Sequence, residues 1–409
     1  MTAPLSGLRV LDFTRVLAGP HCTKALRDLG ADVTKIEPPA GDLGRLAVPV
    51  VGDLALYFVQ QNAGKRNLSL DLNFAEAREI VRELAAKADV IVENFRPGTL
   101  KRFGLSYEDV RNYNPGIIYA SLSGYGQNTS WRNRPAFAPT VQAETGLAAI
   151  VQEHFGAALT EPRGDACSHA DVYTGLQGVV AILAALNHRT RTGEGQHLDV
   201  SMAATMLSVN ERAGAQISAI DTDGEPIALS ANESHIFELA DGTRVTIAMS
   251  PLFTPLFRRY CSMMRRNDLL RDPRFATAKL RRENLPSLLS EVLSWIKSFT
   301  DLDELQAQAS ESGLAIGVLR STEEFAASDW VEEWGAVVDV DDREGGTIKM
   351  PGNPWKFSRS RLPDPGFPAF QGEDNEAVLN ELGISPDKIR ELHERKILLR
   401  RRIASGDFD

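Results

Sequence analysis

Cysteine is scarce: Cys22, Cys167 and Cys261 are the whole set in 409 residues, and none stands in a CxxC pair. An odd, dispersed set excludes a disulfide scaffold and a cysteine metal site, and it fits a reducing compartment. Histidine is nearly as sparse, with 7 residues and no HExxH pair, so a zinc hydrolase has no local support. No serine stands in a GxSxG elbow. Gly124-Tyr125-Gly126 lacks the third glycine of a dinucleotide fingerprint, and Gly64-Lys65 lacks the earlier glycine of a phosphate-binding loop. Positive charge is in deficit. The 45 Lys and Arg against 55 Asp and Glu give a net charge of −10, which argues against nonspecific attraction to nucleic acid or an anionic membrane. A small anion in a local basic pocket is still compatible with that balance. Long apolar runs are missing as well: the longest tidy one, residues 179–186, is less than half a membrane span, and the opening MTAPLSGLRV lacks the regions of a signal peptide. The expectation is a cytoplasmic protein that binds neither membrane nor nucleic acid and no metal.

What is present is an ordinary globular composition, 43% hydrophobic and 24% charged, in a chain too long for one core, since single cores rarely grow past roughly 250–300 residues. Short apolar runs alternate with helical periodicity from the start. Residues 8–13, 32–37, 67–72, 89–95 and 117–123 read as strands, with helices over 21–29 and 74–88 between them. That alternation predicts an α/β fold, a Rossmann-like parallel sheet covered by helices, with functional groups beyond the carboxyl ends of the strands, at residues 15–19 and 94–98. A long apolar helix over 171–189 and a strand over 198–201 follow. The alternation then fades, and residues 209–325 read as a linker and a smaller α+β domain. That domain carries a hairpin of 234–237 with 245–249 across Asp241-Gly242, and helices over 283–298 and 301–312. Five prolines make 351–370 an extended crossing segment before a helical region over 374–401. The expected division is 1–208, 209–325 and 326–409, the last returning to complete the large domain.

Residue types alone leave the chemistry open. Asp171 stands before a helix, where capping of first-turn amides explains it, and spacing does not nominate it as catalytic. Lys65, Arg66 and Arg102 could form a phosphate-binding mouth or be solvated surface.

Longer motifs carry more. Pro4-Leu5-x-Gly7-Leu8-x-Val10-Leu11-Asp12-Phe13, Ala18-Gly19-Pro20, Leu29-Gly30-Ala31-Asp32-Val33-x-Lys35-Ile36-Glu37-Pro38-Pro39-x-Gly41-Asp42, Asn62-x-x-Lys65-Arg66 and Val92-Glu93-Asn94-Phe95-Arg96-Pro97-Gly98 occur in that order. Leu100-x-Arg102-x-Gly104, Thr174-Gly175, Arg191-Thr192-Gly193-Glu194-Gly195-Gln196 and Gln371-Gly372-Glu373-Asp374-Asn375 continue it. Together they resemble the class III coenzyme A (CoA) transferases, which include formyl-CoA transferase and the racemases of 2-methylacyl-CoA thioesters. The resemblance implies an interlocked homodimer of ring-shaped subunits and a reaction moving CoA from an acyl-CoA thioester to a free carboxylic acid, with no tightly bound cofactor. It implies that Asp171, three residues before Thr174-Gly175, is the nucleophile. It places Arg15, Val16, Leu17, Ala18, Leu70, Asn94, Phe95, Arg102, Phe103 and Arg134 along the CoA channel, with Arg102 on phosphate.

Departures bear on the substrate. Formyl-CoA transferase has glutamine where this chain has Leu17, and its glycine-rich loop has no counterpart in residues 225–260. The racemases place a histidine where this chain has Phe137, which cannot exchange a proton. An acyl-CoA racemase or isomerase is therefore the alternative reading, a silent thioester-binding protein a further one. Glu144 and His169 are the spare polar groups near the site.

Overall fold

The alternating apolar strands assemble into one six-stranded parallel sheet in the computed structural model, which describes residues 2–150, 167–211, 213–218, 235–248 and 250–401. The strands are β1 (Arg9–Asp12), β2 (Asp32–Glu37), β3 (Arg66–Ser69), β4 (Val90–Glu93), β5 (Ile118–Ser123) and β6 (Gln196–Ser201), in the order β3-β2-β1-β4-β5-β6. Leu11 of β1 sits between Thr34 of β2 and Ile91 of β4 in register. Connections leave β1 toward opposite sides, so the loops after β1 and β4 open a crevice at the switch point, the usual ligand position in such sheets.

Alternation along each strand serves two apolar layers. Leu11, Ile91 and Tyr119 face a core with the helix Ala75–Lys87 and with two helices from the far end of the chain, Asn375–Glu381 and Pro386–Glu394. Val10, Val90, Val92 and Ala120 face the opposite core, built with the helices Ala18–Asp28 and His169–Thr192. The C-terminal segment is stitched to β3 through side chains: Ser69 N–H donates to Asn375 Oδ1 (2.9 Å) and Asn67 N–H to Asp374 (2.7 Å).

The chain divides into two compact units, Met1–Ala213 with Glu332–Asp409, and Gly214–Val331. The second unit has an antiparallel sheet of Ile236–Glu238, Arg244–Ile247 and Ile316–Val318, with its own core around Phe257, Tyr260, Leu288 and Val292. The first two of those strands are the expected hairpin, although Ser234 and Met249 lie outside the described residues. Residues 219–234, most of the stretch before that hairpin, also lie outside them.

Two boundaries differ from the pattern reading. The first helix begins at Ala18 rather than residue 21, and the long helix begins at His169, so Asp171 lies inside the first turn and is not its cap. By length and composition, His169–Thr192 is the one helix among the described residues apolar enough to cross a membrane. Val179, Ile182 and Ala185 are buried against the sheet, as in a core helix, while Val180 on the other side is 60% exposed.

Candidate active site

The loop after β1 is fixed almost atom by atom. Thr14 N–H donates to Asp12 (2.9 Å), and the Thr14 carbonyl accepts from the Lys35 ammonium (2.6 Å). Asn94, at the end of β4, grips the next residue at both ends: its Oδ1 accepts from Arg15 N–H (2.9 Å) and its Nδ2 donates to the Arg15 carbonyl (2.8 Å). Val16 N–H donates to Asp42 (3.0 Å), and Val16 holds φ +67°, a left-handed conformation that a β-branched residue adopts only under constraint. Leu17 then opens the helix Ala18–Asp28 with no side-chain cap.

The first turn of that helix meets Asp171. Gly175 makes the approach possible, because a Cβ there would fall 2.7 Å from the Ala18 carbonyl oxygen. Asp171 stands one turn before Gly175, on the same face of its helix, with the Ala18 backbone N–H directed at its carboxylate. Burial pushes the Asp171 carboxyl up to about 6, and the Ala18 N–H pulls it partly back. Tyr57, in the helix Leu56–Asn62, feels the same carboxylate: burial and the charges of Asp171 and Asp42 push its hydroxyl up to about 12. The phenol therefore keeps its proton at neutral pH.

On the other side of the Arg15 loop lies a groove of about 360 Å³. Arg15, Leu70, Phe95, Arg102 and Phe103, all expected on the CoA channel, line it. Arg15 stacks over the Phe95 ring (4.9 Å) and Arg102 over Phe103 (4.6 Å), so each cation is presented on an aromatic plate. Phe95 is held from below, its N–H donating to Glu93 (2.8 Å), a buried carboxyl that burial raises to about 7. The remaining expected residues contribute differently: Asn94 through the backbone of Arg15, Val16 through its turn, Leu17 and Ala18 as buried residues leading to Asp171. Arg134 is elsewhere, paired with Glu144 (3.4 Å) and stacked on Trp131 (3.6 Å). His169 stacks on Tyr173 at 5.7 Å.

Of the three basic residues expected at a phosphate mouth, Arg102 alone lines the groove. Lys65 points into the interior, where its ammonium bonds Asp12 (3.0 Å), Thr23 (2.8 Å), Asn62 (2.9 Å) and the Pro20 carbonyl (3.1 Å). Arg66 pairs with Asp32 (3.0 Å) and Glu381 (2.7 Å) at the amino-terminal end of the sheet. Held in these pairs, neither residue reaches the groove that Arg102 lines. Sequence reading missed Tyr57, which stands in none of the motifs, and the role of Asp42, which closes the motif opening at Leu29 without a chemistry that names it; both act across the fold. Among the described residues, no group of three or more His, Cys, Asp or Glu is placed to hold a metal ion.

Comparison with known proteins gives the family of the chain. The chain is 36% identical over 401 residues to a succinyl-CoA:mesaconate CoA-transferase of Haloarcula hispanica, an alignment covering 93% of this chain and 96% of the relative. It is 30% identical to a formyl-CoA:oxalate CoA-transferase of Escherichia coli O157:H7, over 95% and 98% of the two chains. A crystal structure of a CAIB/BAIF family protein from Brucella suis superposes with a TM-score of 0.75 at 30% identity, covering 93% of this chain and 100% of that one. The sequence pattern of CoA-transferase family III matches residues 5–375, and the chain belongs to that family.

Proposed function

We propose that this enzyme moves CoA from an acyl-CoA thioester to a free carboxylic acid through covalent intermediates on Asp171. One observation carries the reading: a carboxylate made more basic by burial, ionised at neutral pH, stands against the first turn of the helix Ala18–Asp28, beside the Ala18 backbone. Such a group attacks the thioester carbonyl, a C–O bond forms as the C–S bond breaks, and CoA departs as thiolate, leaving the acyl group and Asp171 joined as a mixed anhydride. The thiolate attacks the aspartyl carbonyl, releasing the donor acid and leaving an aspartyl-CoA thioester. The acceptor carboxylate repeats the two steps in reverse and leaves with CoA. One thioester forms as another breaks, so the chemistry is nearly isoenergetic. Negative charge develops at the aspartyl carbonyl oxygen in each exchange there, within reach of the Ala18 N–H.

The groove fits the nucleotide end of CoA, with aromatic plates at Phe95 and Phe103 and guanidinium groups at Arg15 and Arg102. A guanidinium pairs with phosphate in a two-pronged geometry. Arg102→Ala is expected to raise the KM for the thioester about tenfold while kcat stays within about twofold, because a remote phosphate contact is equally strong in ground and transition states. Steady-state kinetics with one donor checks this, and an unchanged KM would remove Arg102 from the ligand.

The racemase reading loses support at Phe137, which is 64% exposed and has no proton to exchange. The test of function is succinyl-CoA, the donor named for the Haloarcula relative, with isotopically labelled mono- and dicarboxylates in deuterated water. Label should enter the thioester pool, one new thioester for each one consumed, with no deuterium at the α-carbon when acceptor is absent. Hydrolysis without labelled thioester, or α-exchange without transfer, would overturn the proposal.

A further inference from the structure

The Ala18 backbone, whose N–H is directed at the Asp171 carboxylate and whose carbonyl packs against Gly175 one turn on, depends for its position on a strained turn two residues earlier. Val16 gains nothing local from φ +67°, a conformation that costs a non-glycine residue on the order of 1–3 kcal/mol. Something must hold it. Asp42 does so: the same carboxylate takes Val16 N–H (3.0 Å) and Gly44 N–H (2.9 Å), and it is pinned by Lys35 at 2.9 Å. Lys35 in turn fixes the Thr14 carbonyl, so one buried ion pair reaches the loop on both sides of Arg15. Without that hold, Val16 relaxes to negative φ, and the peptide that carries the Ala18 N–H rotates away from the Asp171 carboxylate.

We infer that Asp42 is a positioning residue for the transfer reaction, holding Val16 in its left-handed turn so that the Ala18 N–H is aimed at Asp171. The inference rests on Asp171 being the attacked carboxylate. It assigns to the buried Asp42–Lys35 pair a kinetic role that its burial alone would not give it.

Asp42→Asn keeps the shape and weakens the acceptor. The expected result is a kcat lowered on the order of 10²-fold with the thioester KM within about threefold, the effect of misaiming one contact at the reacting group. The pH profile supplies the readout that a merely structural role would not move. Of the titratable groups around it, Tyr57 feels the Asp171 charge, and the His21 ring, its Nδ1 held on Gln61 (3.2 Å), lies against Gly175 one turn further along the same helix. Loss of the Ala18 N–H raises the Asp171 pKa and moves the acid limb of kcat to higher pH. Loss of the Asp42 charge beside an unpaired Lys35 would do the opposite. An upward shift supports the inference; an unmoved or downward limb overturns it.

Asp42→Asn leaves Lys35 buried without its partner and could fail to fold. Val16→Pro keeps the ion pair intact, and by removing the N–H and the positive φ together it should give the same fall in kcat and the same upward limb. Adding Val16→Gly to Asp42→Asn should restore kcat at least fivefold, since glycine adopts positive φ unaided. Absence of rescue, or a wild-type limb in Val16→Pro, overturns the inference. Asp171→Asn in the same assay separates the two claims. If it turns over, the assignment of the nucleophile falls and the positioning role with it. If it is dead while Val16→Pro behaves as wild type, the positioning role alone falls.

Discussion

Asp171→Asn should abolish turnover and, at the same time, make the protein more stable at neutral pH. The first effect follows from covalent chemistry: an amide is no nucleophile toward a thioester, and loss of a covalent group lowers kcat on the order of 10⁴-fold or more. The second follows from linkage. The carboxyl is raised from its ordinary 3.8 to about 6 by burial, so the folded state holds a proton more tightly than the unfolded state between those values. Its stabilising effect is complete below about pH 4 and is lost as pH rises through 6, leaving the full penalty of a buried charge above that. The shift converts to about 3 kcal/mol, which partial exposure to solvent reduces to about 1–2 kcal/mol recovered by asparagine. Asparagine keeps an oxygen for the Ala18 N–H, so the site is not otherwise disturbed. Urea denaturation at pH 7.5 and pH 4 measures this: the variant should gain at the higher pH and be level with wild type at the lower. Wild-type kcat should fall about tenfold per pH unit below 6 as the nucleophile is protonated. Hydroxylamine added with donor thioester should modify Asp171 in wild type alone. Activity within tenfold of wild type in the variant, or modification at another carboxylate, would remove Asp171 from its role.

The combination is a physical signature. A group retained for packing stabilises the fold; one retained for chemistry is carried at a loss, and the loss is visible where function is removed.

The strands of the sheet were legible because their signal is local. A run such as Arg9–Asp12 carries its apolar residues in the chain itself, and the six parallel strands fall within a residue or two of the pattern except at the end of β3, which stops at Ser69 rather than residue 72. The start of the first helix was not, because Ala-Gly-Pro reads as a turn, whereas a proline in the first turn of a helix gives up an N–H that has no partner there anyway. The groove residues became legible through motifs, with Arg15, Phe95, Arg102 and Phe103 brought together as the resemblance implies. What stayed hidden depends on distant partners. Tyr57 matters through a carboxylate that the long helix brings to it, and Asp42 through the backbone of Val16, 26 positions away. Arg134 shows the reverse failure: it lies between groups that suggested a ligand, yet its neighbours in space are Glu144 and Trp131.

Lys65 and Arg66, adjacent in sequence and alike in charge, should respond to mutation in opposite ways. The Lys65 side chain is 1% exposed and its ammonium meets the fully buried Asp12 carboxylate, together with the hydroxyl of Thr23 and the amide of Asn62. Burial alone would raise the Asp12 carboxyl; Lys65 and Lys35 more than offset it and hold the group below the usual range. Lys65→Met removes the nearer cation and leaves a buried charge with less compensation, a change that costs about 3–5 kcal/mol in comparable pairs. Arg66 and its partners Asp32 and Glu381 are 28%, 48% and 60% exposed, so solvent replaces the lost pair, and Arg66→Ala should cost less than about 1 kcal/mol. Urea midpoints of the two variants against wild type decide it. Asp12 also accepts from Thr14, so Lys65→Met should loosen the loop that leads to Ala18 and lower kcat in whatever fraction folds, while Arg66→Ala leaves kinetics unchanged. A Lys65→Met protein of wild-type stability whose KM for the thioester rises would return Lys65 to the ligand groove and refute its burial on Asp12.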